Sequence, residues 1–336
     1  MSEIGIFARC DNTGLGIQSK EFFDNIPCDA IIVDVSRIGN TMPQNHQWYK
    51  DSKVIYYTNT RRFDPKDIKD FINNIDTLVC FETPYDFSLF PLCKSLNTKS
   101  VLQLNYEFLD WPSGYYPPDL FAAPSMWHYE EIPERKIFLP VPVNTKKFSP
   151  QKKEKTFLHI AGKPAIHDRN GTNVFLSALK YVKSDISVII KCQRQIHIPK
   201  DIPSHINITY DFINRDNYWE NYNGGVLVMP RKYGGLCLPC QEALAASMPV
   251  IMPNISPNNI WLPKEWLVPA AKTGSFLAKK RIDIYEADLV SLATKIDQFC
   301  NASFYNSASD LALQIANSIS WDNLKDTYLK ILTSFD

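Results

Sequence analysis

The chain is expected to be an α/β protein made of two Rossmann-like domains in series. Three observations predict this. Short runs rich in Val, Ile, Leu and Phe alternate with amphipathic or polar segments from end to end, the pattern of parallel strands joined by helices. At 336 residues the chain is long enough for two domains of ordinary size. A Pro- and Lys-rich stretch, Pro140-Val-Pro-Val-Asn-Thr-Lys-Lys-Phe-Ser-Pro150, interrupts the alternation near its middle, as an exposed connector does.

Taken in order, strands are predicted at 4–10, 30–35, 53–58, 77–81, 100–104, 120–123 and 137–141 before the connector. After it they are predicted at 156–161, 186–192, 206–210, 226–229 and 250–252. Most are apolar at consecutive positions, which suits strands covered on both faces. The loop after the first strand, Asp11-Asn-Thr-Gly-Leu-Gly-Ile-Gln18, places Gly14 and Gly16 where a backbone can approach a ligand closely. Two later strand ends carry polar groups, Phe81-Glu-Thr-Pro84 and Leu104-Asn-Tyr-Glu107. Ligands collect at the C-terminal ends of parallel strands, so Glu82, Asn105 and Glu107 are nominated as site residues. Amphipathic helices are predicted at 288–299 and 323–332.

Lys plus Arg and Asp plus Glu both number 36, so no global charge demands nucleic acid or an anionic membrane. No apolar run reaches membrane-spanning length and no leader-like segment opens the chain, which predicts a cytoplasmic protein. The cysteines fall mostly inside apolar runs, such as Cys10, Cys80 and Cys192, the usage of a reducing compartment. Cys237-Leu-Pro-Cys240 has CxxC spacing but no second pair or nearby His, so no metal site is predicted.

Chemistry concentrates in two segments. In the first, a strand ends at Gly162 with Lys163 after it, and Arg169 and Asn170 precede a helix that begins near Gly171 and Thr172. Cations beside a helix N-terminus make a diphosphate site. The second runs from Pro230 to Pro253. An apolar strand leads into Tyr233-Gly-Gly-Leu236, then into a helix opening near Pro239 with Glu242 expected in its first turn. Backbone N–H groups of Gly235, Leu236 and Cys237 would face an anion or a polyol, and Glu242 can accept hydrogen bonds from sugar hydroxyls.

The segment Tyr233-Gly-Gly-Leu-Cys-Leu-Pro-Cys-Gln-Glu-Ala243 resembles the donor-binding segment of retaining family 4 glycosyltransferases of the GT-B fold, usually Tyr/Phe-Glu-Gly-Phe-Gly-Leu-Pro-x-x-Glu-Ala. Gly234 stands where that family carries the first of its two glutamates. The connector resembles the "PNPVD…RFxP" junction of the same enzymes. Ile319-Ser-Trp-Asp-Asn-Leu-Lys-Asp-Thr-Tyr-Leu329 resembles the helix that crosses back to the first domain.

The resemblance implies a GT-B fold, two Rossmann-like domains whose parallel sheets face a cleft. Residues 1–145 would be the acceptor domain, 146–318 the donor domain and 319–336 the returning helix. It implies transfer of a hexosyl or pentosyl group from a nucleoside-diphosphate-sugar, taken as a UDP-sugar, with retention of configuration and no metal or tightly bound cofactor. Lys163 and Arg169 would hold the diphosphate beside Gly162, Asn170 and Gly171. Tyr233, Gly234, Gly235, Leu236, Cys237 and Leu238 would line the sugar and diphosphate, and Glu242 would hold the ribose. Gly14 and Gly16 would touch the donor phosphates. Asn105 takes the place of a His found in many relatives, with Glu82 and Glu107 beside it as acceptor or donor-sugar contacts.

The acceptor is expected to be a saccharide or glycan. An AT-rich-genome composition and the Arg61-Arg62 pair keep a DNA base as the minor alternative, although the first half of the chain is slightly acidic. Gly234 and the absent His leave two rivals open: a nucleotide-sugar-binding protein without catalysis, and a GT-B nucleotide-sugar epimerase. A glycosylated product, a new sugar nucleotide, or binding alone separates the three.

Overall fold

A computed structural model describes residues 3–34, 44–50, 54–58, 65–82, 87–109, 116–133, 135–162, 166–214 and 216–334. Two compact units divide the chain: Met1–Val141 with Trp321–Asp336, and Pro142–Ser320.

In the first unit, β1 (Ile4–Arg9), β2 (Asp29–Asp34), β3 (Val54–Thr58), β4 (Thr77–Glu82), β5 (Lys99–Leu104), β6 (Leu120–Ala123) and β7 (Lys136–Phe138) form one sheet in the order β3-β2-β1-β4-β5-β6-β7. Every pairing is parallel. Among the described residues its strands are joined by α1 (Gly14–Asn25), α2 (Pro65–Ile72) and α3 (Leu89–Ser95). Phe22 of α1 sits at the centre of an aromatic core, edge-on to Phe81, Trp321 and Tyr328.

The second unit repeats the plan. Its strands are β8 (Thr156–Gly162), β9 (Ile186–Cys192), β10 (Ile206–Phe212), β11 (Val226–Val228), β12 (Val250–Pro253) and β13 (Leu267–Val268), ordered β10-β9-β8-β11-β12-β13, again all parallel. Helices α4 (Thr172–Ala178), α5 (Leu238–Ala245) and α6 (Asn258–Trp261) follow β8, β11 and β12. An antiparallel hairpin, β14 (Ala270–Leu277) and β15 (Arg281–Ala287), comes next. Then come α7 (Leu289–Phe299) and α8 (Ala302–Ser318), while α9 (Trp321–Ser334) belongs to the first unit. There Tyr328 receives a hydrogen bond from Gln103 Nε2 at 2.9 Å and donates to the Pro140 carbonyl at 2.9 Å.

Each predicted strand is found. The hairpin and the 17-residue α8 are additions to the expected plan. In both sheets the strand order reverses between the first and fourth strands, β1/β4 and β8/β11. Those are the switch points at which open α/β sheets hold ligands.

At the second of these points the strands are tied by a buried imidazole. His159 is fully buried in β8, with Nδ1 2.8 Å from the Val228 carbonyl and Nε2 2.9 Å from the Thr172 hydroxyl. The neutral tautomer that donates from Nδ1 and accepts at Nε2 satisfies both. Burial lowers its pKa from 6.5 to about 4, against the smaller raising effect of the Val228 bond. An unfolded chain takes up this proton below pH 6.5 while the native chain refuses it until about pH 4. The contribution of His159 to stability should therefore be flat above pH 6.5 and fall by about 3 kcal/mol in all as the pH drops through that window. Urea melts of the wild type and of His159→Gln across pH 4–7.5 check this; equal pH slopes in the two would exclude His159 as the cause.

Candidate active site

The site is built from the loops that leave β8 and β11. They are fastened together along their backbones. Lys232 N donates to the Arg169 carbonyl at 2.8 Å. Gly171 has φ +72°, and a Cβ there would stand 2.0 Å from the Pro230 carbonyl oxygen. His167 and Asp168 also adopt left-handed backbone, at φ 65° and 51°, the kind of strained, tightly held loop that collects at functional sites.

The sequence reading offers the first N–H groups of α4 to a diphosphate, and the structure corrects this. Asp168 caps that terminus, accepting from Thr172 N at 2.9 Å and Asn173 N at 3.0 Å. A carboxylate already satisfies these donors and opposes a second anion. Burial raises the Asp168 pKa; the two N–H groups and Lys232 pull it back. Asn170, placed as a stand-in for a phosphate-binding Lys, turns its Nδ2 to the carbonyls of Ile160 and Ala161 at 3.1 and 3.2 Å. It braces the end of β8 beside Gly162. Lys163 lies outside the described residues.

Around the Gly-rich turn the surroundings are basic. Arg231, only 8% exposed, donates from Nε to the Tyr233 carbonyl at 3.0 Å and from Nη1 to the Leu236 carbonyl at 2.8 Å. Gly234 has φ +118°, and a Cβ built on it would lie 2.4 Å from Arg231 Nη2 and 2.6 Å from Arg169 Nη2. Both guanidinium tips thus converge on one point, within about 5 Å of each other. Like charges at that range repel by roughly 3 kcal/mol at an effective dielectric of about 20. The Arg169 guanidinium also lies over the Tyr233 ring at 5.1 Å. Sequence reasoning missed Arg231, because an Arg two positions before a Gly turn reads as a solvated cation.

Helix α5 begins at Leu238, with Pro239 in its first turn and Cys237 at its N-cap making no side-chain cap bond. Gly235 and Leu236 lead into that cap. Glu242 is the fifth residue of α5, just past the first turn and not within it as expected. Its carboxylate accepts a hydrogen bond from the Tyr222 hydroxyl. Burial first, and then the Glu242 charge, push the Tyr222 pKa well up, so the phenol remains a donor.

The hairpin flanks this region. Tyr285 N donates to the Lys232 carbonyl at 3.0 Å, and Lys232 Nζ reaches Glu286 at 3.0 Å and Asp168 at 3.8 Å. Phe276 of β14 stacks on His167 with centroids 5.0 Å apart and meets Tyr233 edge-on at 4.9 Å.

In the first unit the structure brings three nominated residues together. Asn105 Nδ2 stands 3.3 Å from Glu82 Oε1 and 3.4 Å from Glu107 Oε1. Glu82 ends β4 with φ 63°, and Glu107 is buried. Gly14 opens α1. Gly16 has a packing reason for being glycine: a Cβ there would stand 1.8 Å from the Asp11 carbonyl oxygen, and its N–H already meets Thr13 Oγ1 at 3.2 Å. Arg61 and Arg62 lie outside the described residues.

No protein-family model matches the chain, and no curated protein matches it in sequence. Solved structures do. The chain is similar to HepE from Anabaena, solved with UDP and glucose, at a TM-score of 0.67 and 8% identity over 100% of both chains. It is similar to sucrose-phosphate synthase from Thermosynechococcus elongatus at 0.64 and 11%, over 98% of both. A variant of TarM from S. aureus, solved with Fondaparinux, alpha-GlcNAc-glycerol and UDP, matches at 0.64 and 10%, over 99% of this chain and 100% of that one. With two doubly wound parallel sheets, these likenesses establish the GT-B α/β fold.

Proposed function

We propose that the protein is a glycosyltransferase resembling retaining family 4 enzymes, moving a sugar from a UDP-sugar to an acceptor hydroxyl in the cytoplasm. One observation carries this reading. On the segments that leave β8 and β11, within a single unit, lie two converging arginine side chains, an α5 N-terminus without a side-chain cap and a carboxylate one turn further along. Such cations and N–H donors suit a diphosphate, and a carboxylate can accept from the hydroxyls of its ribose. Solved proteins of this fold include HepE complexes with UDP and with UDP-glucose. In this reading Arg169, with Lys163, takes the charge that develops on the departing diphosphate, and Glu242 holds the ribose hydroxyls. The acceptor oxygen bonds to the anomeric carbon as the bond from that carbon to the phosphate oxygen breaks. The acceptor's proton passes to the departing phosphate, so no side-chain base is needed. Asn105, Glu82 and Glu107 are assigned to sugar hydroxyls, and a saccharide or glycan is the acceptor. The cations make a metal unnecessary for leaving-group stabilisation.

The test is calorimetry and turnover with EDTA present throughout. UDP should bind, and a UDP-sugar panel should release UDP with a glycosylated product. Glu242→Gln should weaken UDP binding by about 1–3 kcal/mol, since a charge-assisted bond becomes neutral. Unchanged UDP affinity in the folded variant removes the ribose assignment. Release that demands a divalent metal removes the metal-free mechanism, and a new sugar nucleotide in place of transfer makes the protein an epimerase.

A further inference from the structure

Nothing in the sequence motif points to Arg231, yet its geometry is that of a binding residue. Two of its nitrogens are committed to the carbonyls of Tyr233 and Leu236. Those bonds fix the plane of the guanidinium, so that Nη2 is held over Gly234. Arg231 is more than nine-tenths buried, its Nη2 bonds to none of the described residues, and no carboxylate among them pairs with it. Burying a cation with only backbone carbonyls for company is costly unless an anion completes the site. Arg169 brings a second guanidinium to the same point, steadied on the Tyr233 ring. The start of α5 adds the partial positive charge of its N-terminus close by. A planar fork held in this way suits the two oxygens of a phosphate or a carboxylate.

We propose that Arg231 and Arg169 form an oxyanion-binding site over Gly234, taken by an anionic group of the donor: its diphosphate, or a carboxylate on its sugar. The missing carboxylate at position 234 is then half of an exchange. Where relatives of the resembling family present an acid, this chain leaves a space and two cations face it. Naming the ligand as part of a sugar nucleotide rests on the glycosyltransferase reading; the oxyanion site itself does not.

The experiment is titration calorimetry with inorganic pyrophosphate, uridine, UDP, UDP-glucose and UDP-glucuronic acid. The proteins are wild type, Arg231→Gln, Arg169→Gln and the double variant. Each single substitution should lower affinity for the anionic probe by about tenfold or more. The double variant should lose less than the product of the two factors, because both groups hold one ligand. Uridine should be unaffected. Equal losses for pyrophosphate, UDP and UDP-glucose identify the diphosphate; losses confined to UDP-glucuronic acid identify a sugar carboxylate. Should Arg231→Gln fail to fold, Arg231→Lys replaces it. That variant keeps the charge without the fork and should lose about threefold. Anion affinities indifferent to Arg231 overturn the site, as do strictly multiplicative losses. Pyrophosphate held through both arginines with no gain from the uridine moiety keeps the site and removes the sugar-nucleotide reading. UDP bound indifferently to both arginines does the reverse.

Discussion

Gly171→Ala should cost about 3 kcal/mol or more of stability and loosen the proposed donor site at the same time. Two independent penalties meet there. The residue holds φ +72°, which L side chains adopt only at a cost. Its Cβ would also stand 2.0 Å from the Pro230 carbonyl oxygen, a backbone atom that cannot swing aside. The loop after β8 would have to withdraw from the loop after β11, straining the bond from Lys232 N to the Arg169 carbonyl. Arg169 would then leave its place over Tyr233. Urea denaturation should show the loss, and UDP calorimetry on the surviving folded fraction should show weaker binding. Gly171→Asn separates the two penalties. Asn tolerates left-handed backbone, so if the clash dominates it should be as damaging as Ala, and if φ dominates it should recover. An alanine variant as stable as wild type, with unchanged UDP affinity, would remove the close approach from the account.

How much of this was legible beforehand follows from what each residue does in the fold. The inner sheet strands could be read because they are covered on both faces. Val188 and Ile190 on β9, or Leu227 and Val228 on β11, are wholly buried, so their apolar runs have no other use. No residue of β14 is buried and the hairpin's turn carries lysines, which hid it. A signal did exist in Arg281-Ile-Asp-Ile-Tyr-Glu-Ala287, whose alternation places Ile282 and Ile284 inward. Helix α8 was missed because, after Tyr305, its inner stripe is small: Ala308, Ala312 and Ala316 are buried, and Ser309 exchanges hydrogen bonds with Ser247. At the candidate site, Gly171, Tyr233 and Gly234 could be nominated because the Gly turn and the strand–loop–helix pattern are local. His159, Asp168 and Arg231 were not. The roles of His159 and Arg231 come from contacts across strands and within a folded turn, which local pattern does not encode. A lone histidine inside the apolar run of β8 was the available hint for His159. Asp168, four residues ahead of Thr172 at the helix start, was the hint for the occupied cap.

Introducing the acid of the resembled family, Gly234→Glu, should not raise activity with a glucose-type donor; it should lower affinity for the proposed donor by about a hundredfold. A Gly at φ +118° accepts no side chain without strain, on the order of 1–3 kcal/mol. The new Cβ would also stand on the Arg231 and Arg169 tips. These are ends of long side chains, so Arg169 can yield, but Arg231 is held by two carbonyls and yields less. The introduced carboxylate would then pair with the arginines and occupy the space meant for the ligand's anion, an internal competitor at very high effective concentration. Gly234→Ala carries the strain and the clash without the charge. If Ala costs as much donor affinity as Glu, the effect is steric. If Glu costs about tenfold more than Ala, the carboxylate is competing for the arginines. Thermal melts give an independent readout. Glu should recover part of the stability that Ala loses, because it satisfies a buried cation, while still binding UDP-sugar worse. A Gly234→Glu variant that folds and transfers glucose faster than wild type would show that position 234 is a damaged sugar contact, and that the two arginines face it to no purpose.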